Sequence, residues 1–173
     1  MKTKIAVATS HLESLDNQKI RQSQIRETAG HLKNFPRAVF CGDFNFDATK
    51  TYGDWNRAKK NLSPFKSFEN LENHVLNQEL GHLNFVDTWD FLKTSAGAEP
   101  LDLGLTFDGF TNPGLVQDRD ERMRYDRIMA TGLEPIKIDV IGKETLTFDQ
   151  DPTGTDLNVK ISDHYGVVAE FEL

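Results

Sequence analysis

Four groups of polar residues in this chain are of types that can work on phosphate: His11, Asp43 with Asn45, Asp126, and Asp163 with His164. A carboxylate beside a carboxamide can hold a water or a cation with one group and a phosphate oxygen with the other. A histidine that meets a carboxylate from another strand has its tautomer fixed and its charged form favoured, and Asp126 is the best candidate to do this for His164. Together the groups suit metal-assisted hydrolysis of a phosphodiester. That reaction needs a divalent cation to neutralise the phosphate and the departing oxygen, a group that aligns or deprotonates water, and donors for the trigonal-bipyramidal state. Asp163 is a hard oxygen ligand suited to Mg²⁺ or Mn²⁺, and the single cysteine, Cys41, points away from zinc. Each group also has a plainer reading. Gly42-Asp43-Phe44-Asn45 has the residues of an ordinary strand-to-turn exit, and a lone His11 at a strand end is more often structural. Ser162-Asp163-His164 is not a serine-protease triad, because adjacent side chains on a strand point to opposite sides and no G-x-S-x-G turn occurs.

For this chemistry the four groups must stand at the ends of separate strands that converge. Residues 3–9 alternate polar and apolar positions and predict a strand that ends at His11. Asp16 or Asn17 can cap a helix over 18–34, with Ile25, Ala29 and Leu32 as its apolar stripe, Arg21, Gln22, Arg26 and Lys33 mostly outside it, and Pro36 as its stop. Residues 38–41 are an unbroken apolar run that predicts a strand buried on both faces, and Gly42 permits a sharp exit. Strand, helix, strand in that order is a βαβ-like unit.

Helices are expected over 52–62 and 67–80, with 69–75 as a solvated surface. In 85–92, Val86, Trp89 and Leu92 are expected in the core, with Asp87 capping the turn ahead of Trp89. The loop-rich stretch 93–120 contains Thr106-Phe107-Asp108-Gly109-Phe110-Thr111-Asn112. Its two aromatics suit stacking on a base, a sugar or a tyrosine ring, or they pin the loop to the core. Residues 122–130 predict a strand with Asp126 and Arg127 on opposite faces, 135–141 another, and 150–158 a flexible acidic loop. The last strand, within 161–173, turns Val167, Ala169 and Phe171 inward.

A length of 173 residues suits one domain, 1–173, and 38% hydrophobic with 27% charged content is ordinary for a globular chain. No apolar run approaches the roughly 20 residues that cross a bilayer, and the start is too short in its apolar part for a secretory signal, so an intracellular location and no membrane partner are expected. A net charge of −7 argues against a broad basic nucleic-acid face, but not against a local groove or a cation-masked acidic site. Cys41, inside an apolar run, is expected to pack rather than react.

The order Ser10-His11-Leu12-Glu13-Ser14, Gly42-Asp43-Phe44-Asn45, Tyr125-Asp126-Arg127-Ile128 and Ser162-Asp163-His164-Tyr165 resembles the carboxyl-terminal half of the endonuclease/exonuclease/phosphatase superfamily. It is most similar to 5′-tyrosyl-DNA phosphodiesterases. Val86-Asp87-Thr88-Trp89-Asp90-Phe91-Leu92, the 105–112 segment, and Arg21 with Gln24 match in order and approximate spacing.

The resemblance implies an α/β four-layer α/β/β/α sandwich. It also implies a Mg²⁺-dependent phosphodiesterase of DNA repair, nuclear or cytoplasmic, that acts on DNA 5′ ends carrying a tyrosyl adduct. Asp43 would align or activate the water, while Asn45 and His11 hold phosphate oxygens. His164, oriented by Asp126, would stabilise the transition state, and Asp163 would join the Mg²⁺ site, with Mn²⁺ as a substitute. Thr106, Phe107 and Asn112 would line the groove for the DNA end or a protein–DNA adduct. A small-molecule phosphoesterase and an inactive binding module are the alternatives. In the family a further half precedes the first strand and supplies an Asn and the principal metal-binding Glu. No residue before His11 can replace that Glu, and Glu13 is expected at a surface or supporting position. A complementary amino-terminal half is therefore an expected partner, covering a sheet edge and inner face that this chain alone would bare.

Overall fold

A computed structural model of the chain describes residues 4–15, 17–48, 71–95, 103–113, 115–116, 121–148 and 157–173. The helix expected over 52–62, the start of the one expected at 67–80, the cap candidate Asp16 and most of the acidic 150–158 stretch lie outside these residues.

The strand–helix–strand reading of the first forty residues holds. Strand β1 (Ala6–Thr9) runs parallel to β2 (Ala38–Asp43), and helix α1 (Gln18–Leu32) connects them. Ile25, Ala29 and Leu32 are the buried stripe of α1. The cap is Asn17, whose side-chain amide donates to the Ser14 carbonyl instead of closing the helix, while its own carbonyl accepts from Ile20 and Arg21.

Helix α2 (Leu71–Gly81) lies beside α1, then β3 (Val86–Asp87) leads directly into α3 (Thr88–Ser95). Strands β4 (Phe107–Asp108) and β5 (Arg122–Met123) form a short antiparallel pair. Strand β6 (Asp126–Thr131) pairs antiparallel with both β2 and β3, giving the sheet order β1-β2-β6-β3. A second, two-stranded sheet joins β7 (Glu134–Ile141) to β10 (Gly166–Glu172), and β8 (Thr145–Phe148) with β9 (Leu157–Lys160) make a third pair. The chain is thus an α/β protein with mixed sheets. The 122–130 run divides in two because Arg124 and Tyr125 leave the ladder to bond elsewhere: Arg124 N–H donates to Asp47 Oδ1 and the Tyr125 carbonyl accepts from Phe44.

The main core lies between the helix pair and one face of the four-stranded sheet. Leu12, Ile25, Ala29, Leu32, Phe40, Phe44, Phe46, Leu76, Leu80 and Met129 fill it. Phe40 and Phe44 stack with centroids 4.7 Å apart. The opposite face of β1 and β2 is not buried as a doubly covered strand would be. Val7 is 69% exposed, and Val39 and Cys41 are only half-buried. Burial still raises the Cys41 thiol above its ordinary value.

Four further expectations need correction. Arg21 does not lie outside the apolar stripe of α1: it is 1% exposed, donates from Nε and Nη2 to Oε1 of Glu72, and donates from Nη1 to the carbonyls of Glu13 and Leu15. Consequently the described part of that run, 71–75, is not simply solvated surface, because Glu72 and Val75 are both buried. Val86, in the terminal strand of the four-stranded order, is exposed whereas Trp89 is buried. Beyond 156, the chain is not loop but the strand β9. No helix among the described residues is long and apolar enough to cross a membrane.

Candidate active site

Position 42 decides how the two parallel strands end. Gly42 has φ +135°, and a Cβ there would sit 1.9 Å from the Ser10 carbonyl oxygen, so only glycine lets β2 pass so close to the exit of β1. The Ser10 and Leu12 amides donate to the carbonyls of Cys41 and Asp43, carrying the β1–β2 pairing beyond the strands. His11, between them, is thereby delivered to Asp43: its Nε2 is 3.3 Å from Asp43 Oδ2. The imidazole of His11 is 74% exposed, so it stands at the mouth of the site.

After Asp43 the chain turns. The Asn45 amide donates to Asp43 Oδ1 at 2.8 Å, and Asn45 adopts a left-handed φ of +53°, a region that asparagine tolerates. Phe44 and Phe46 go into the core while Asn45 faces the other way and donates from Nδ2 to the Leu12 carbonyl. Asp43 and Asn45 therefore share one side, as expected, with the turn rather than an extended segment bringing them there.

Strand β6 presents Asp126 directly across from Asp43 in the antiparallel register. His164 comes from the turn ahead of β10: its Nδ1 is 2.7 Å from Asp126 Oδ2 and its Nε2 is 3.9 Å from Asp43 Oδ2. Phe107 packs behind the imidazole with its ring tilted by 55°, 4.8 Å between centroids, and makes an isolated bridge to His164. Four expected residues, His11, Asp43, Asp126 and His164, thus meet at one place, with Asn45 adjoining.

The electrostatics follow from this placement. Burial alone would push the His164 imidazolium down, but its hydrogen bond with Asp126 and the charges of Asp126, Asp43 and Asp163 outweigh that and raise its pKa above the ordinary value. Asp43 is raised mainly by burial, with the Asp126 charge adding to it against the Asn45 amide and the two imidazoles. A carboxylate with a raised pKa is a stronger proton acceptor than a free one.

Asp43, Asp126 and His164 each bring one donor atom within 4.8 Å of the others, a cluster of a kind that can hold a metal ion. Asp126 and His164 already bond each other, and Asp163, expected as the metal ligand, is exposed and is not one of the three. Asp163 accepts from the Ser162 hydroxyl and faces solvent.

Thr106 and Asn112, expected to line a groove, are buried and bond to backbone instead. Phe107 is partly exposed and packs between Tyr125 and His164.

The sequence reading missed the support beneath β6. Asp87 does cap the turn, accepting from the Trp89 and Asp90 amides, but it is also the buried counter-ion of Arg124 at 2.9 Å and Arg127 at 2.7 Å. Arg127, on the face opposite Asp126, donates to Asn73 and lies over the rings of Phe44 and Phe46, 5.6 Å from each centroid. Two arginines flanking a strand start, with an aspartate before a helix, were the only local signal of this network.

This arrangement of strands and helices is that of the endonuclease/exonuclease/phosphatase fold. TDP2 of D. rerio, in complex with single-strand DNA product, matches with a TM-score of 0.58 and 21% identity over 96% of this chain and 56% of that one. An AP endonuclease from Archaeoglobus fulgidus matches with a TM-score of 0.54 and 20% identity over 98% and 62%. An endonuclease/exonuclease/phosphatase family protein from Bacteroides thetaiotaomicron matches with a TM-score of 0.53 and 16% identity over 94% and 48%. The chain therefore spans about half to three-fifths of the length of these structures. No family model and no curated protein matches it.

Proposed function

We propose that this chain is part of a divalent-metal-dependent phosphodiesterase that acts in DNA repair at 5′ ends carrying a tyrosyl adduct, inside the cell. The observation that carries the reading is the geometry around His164, with one imidazole nitrogen on Asp126 at 2.7 Å and the other 3.9 Å from Asp43, whose carboxylate also meets His11. Support for a DNA substrate comes from the matched structures, one of them a DNA-product complex and one an AP endonuclease.

In this reading Asp43 accepts a proton from the attacking water, helped by the burial that raises its pKa. His164, kept charged by Asp126, donates to a phosphate oxygen as negative charge grows on it. His11 and the second amide hydrogen of Asn45, which has no acceptor among the described residues, hold the other phosphate oxygens. Asp163 would hold Mg²⁺ or Mn²⁺, which when bound neutralises phosphate charge. Tyrosine has a pKa of about 10, so its phenolate departs with little need for protonation, which suits a site whose histidine is committed to phosphate.

An amino-terminal half that covers the exposed face of β1 and supplies a further carboxylate is the partner this reading calls for. Ile5 and Val7, both exposed, would offer it an apolar contact on this side.

The test is cleavage of a 5′-tyrosyl oligonucleotide by the chain with Mg²⁺, with Mn²⁺ and with chelator, beside soluble phosphoesters. Metal-dependent release of tyrosine, abolished in Asp43→Asn, is expected. Hydrolysis of the small esters alone would replace DNA as the substrate. Oligonucleotide binding with no turnover of any ester would leave a binding module.

A further inference from the structure

The 106–112 segment touches the chain on both sides of the catalytic pair. Thr106 is fully buried, at 0% exposure. Its hydroxyl oxygen accepts the amide hydrogens of Tyr125 at 3.2 Å and Asp126 at 3.0 Å, and its carbonyl accepts from the Tyr165 amide at 2.7 Å. One residue thus seats the backbone at Asp126 and the backbone next to His164. Six residues on, Asn112, 1% exposed, donates from Nδ2 to the carbonyls of Ser162 at 2.9 Å and Asp163 at 3.4 Å, the two residues before His164. Phe107, between them, bridges to His164 itself and backs its ring.

The Asn112 amide is turned so that both carbonyls face its N–H₂ group, leaving Oδ1 buried without a partner among the described residues. Flipping it would set an oxygen against two carbonyl oxygens, so the orientation is locked by the turn it holds. The turn at 162–164 precedes β10 and borrows its order from this clamp. A hydrogen bond of 2.7 Å between two side chains on separate segments survives only if both backbones are held, since bonds weaken steeply with displacement.

We propose that Thr106 and Asn112 are positioning residues that hold His164 against Asp126, and that neither touches substrate. The proposal rests on the reading of the Asp126–His164 pair as the group that stabilises charge on phosphate. Misplacing a catalytic group by about 1 Å can cost on the order of 100-fold in rate.

The experiment compares Thr106→Val, which keeps the shape and removes the hydroxyl, with Thr106→Ser, which restores it. Two readouts are taken: kcat and KM on the 5′-tyrosyl oligonucleotide, and the downfield proton resonance of the His164 imidazole N–H bonded to Asp126. Thr106→Val is expected to lower kcat by roughly 10- to 100-fold at unchanged KM, and to shift or broaden the imidazole resonance, with Thr106→Ser restoring both. Should Thr106→Val not fold, Asn112→Leu carries the same two readouts and also removes the unpaired Oδ1. A raised KM at unchanged kcat would make these residues substrate contacts and overturn the proposal. So would an unaltered imidazole resonance in a folded variant. If the wild-type chain cleaves no ester, the functional reading fails while the resonance still decides whether the clamp exists.

Discussion

Asp43 and Asp126 stand directly opposite each other on adjacent antiparallel strands, and the imidazole of His164 offers one nitrogen to each. Two carboxylates in such a pairing repel, and a cross-strand pair of like charge is ordinarily destabilising. The histidine between them converts the repulsion into a reason to stay protonated.

Replacing Asp126 with Asn therefore removes the largest influence that raises the His164 pKa. In the wild-type chain the imidazolium persists to a higher pH than in a free histidine, near 6.5, and is lost as the pH rises through the raised value. In Asp126→Asn the alkaline limb of the rate profile should move to lower pH, and kcat should fall by about two to four orders of magnitude. A pH–rate profile checks both.

Arg21 and Glu72 are buried together, so removing one strands a charge in the core. Glu72→Gln should destabilise the chain by about 3–5 kcal/mol, whereas Arg21→Met with Glu72→Leu should recover most of that loss. Urea unfolding of the single and double variants measures the difference.

Acid should loosen the support beneath β6 at a defined point. Burial alone would push the Asp87 carboxyl up, but Arg127 and Arg124 outweigh it and hold it below the usual carboxylate range. Its contribution to stability is therefore present above the unfolded value of about 3.9 and is lost as the pH falls through the lower folded value. Asp87→Asn should flatten that part of the stability curve, as read by unfolding at stepped pH.

Gly42→Ala should separate the ends of β1 and β2, because a Cβ 1.9 Å from the Ser10 oxygen meets backbone that cannot rotate away. A loss of more than about 1 kcal/mol is expected, together with a fall in activity as His11 leaves Asp43. Thermal unfolding and the cleavage assay report the two effects.

What could be read in the sequence was local or motif-borne. The apolar run before Gly42, the stripe of α1 and the four polar strand ends each announced themselves within a few residues, and they do converge. What could not be read depended on partners far along the chain. Arg21 looks solvated on a helical wheel because its counter-ion lies 51 residues away. Asp87 looks like a turn cap because Arg124 and Arg127 are 37 and 40 residues on. Thr106 and Asn112 have the composition of a binding loop, and only the positions of the Asp126 amide and the 162–163 carbonyls reveal that their polar atoms are already occupied.

The outermost place of β1 in its sheet leaves a comb of alternating amides. Those of Ala6, Ser10 and Leu12 turn toward β2 and donate to Arg37, Cys41 and Asp43, whereas the intervening odd-numbered amides point the other way. Deuterium should accordingly enter this segment in a two-residue rhythm, slow at the even positions and fast at Val7, Thr9 and His11. Any polypeptide that docks along β1 would erase the rhythm, turning a single short segment into a reporter of whether that margin is taken.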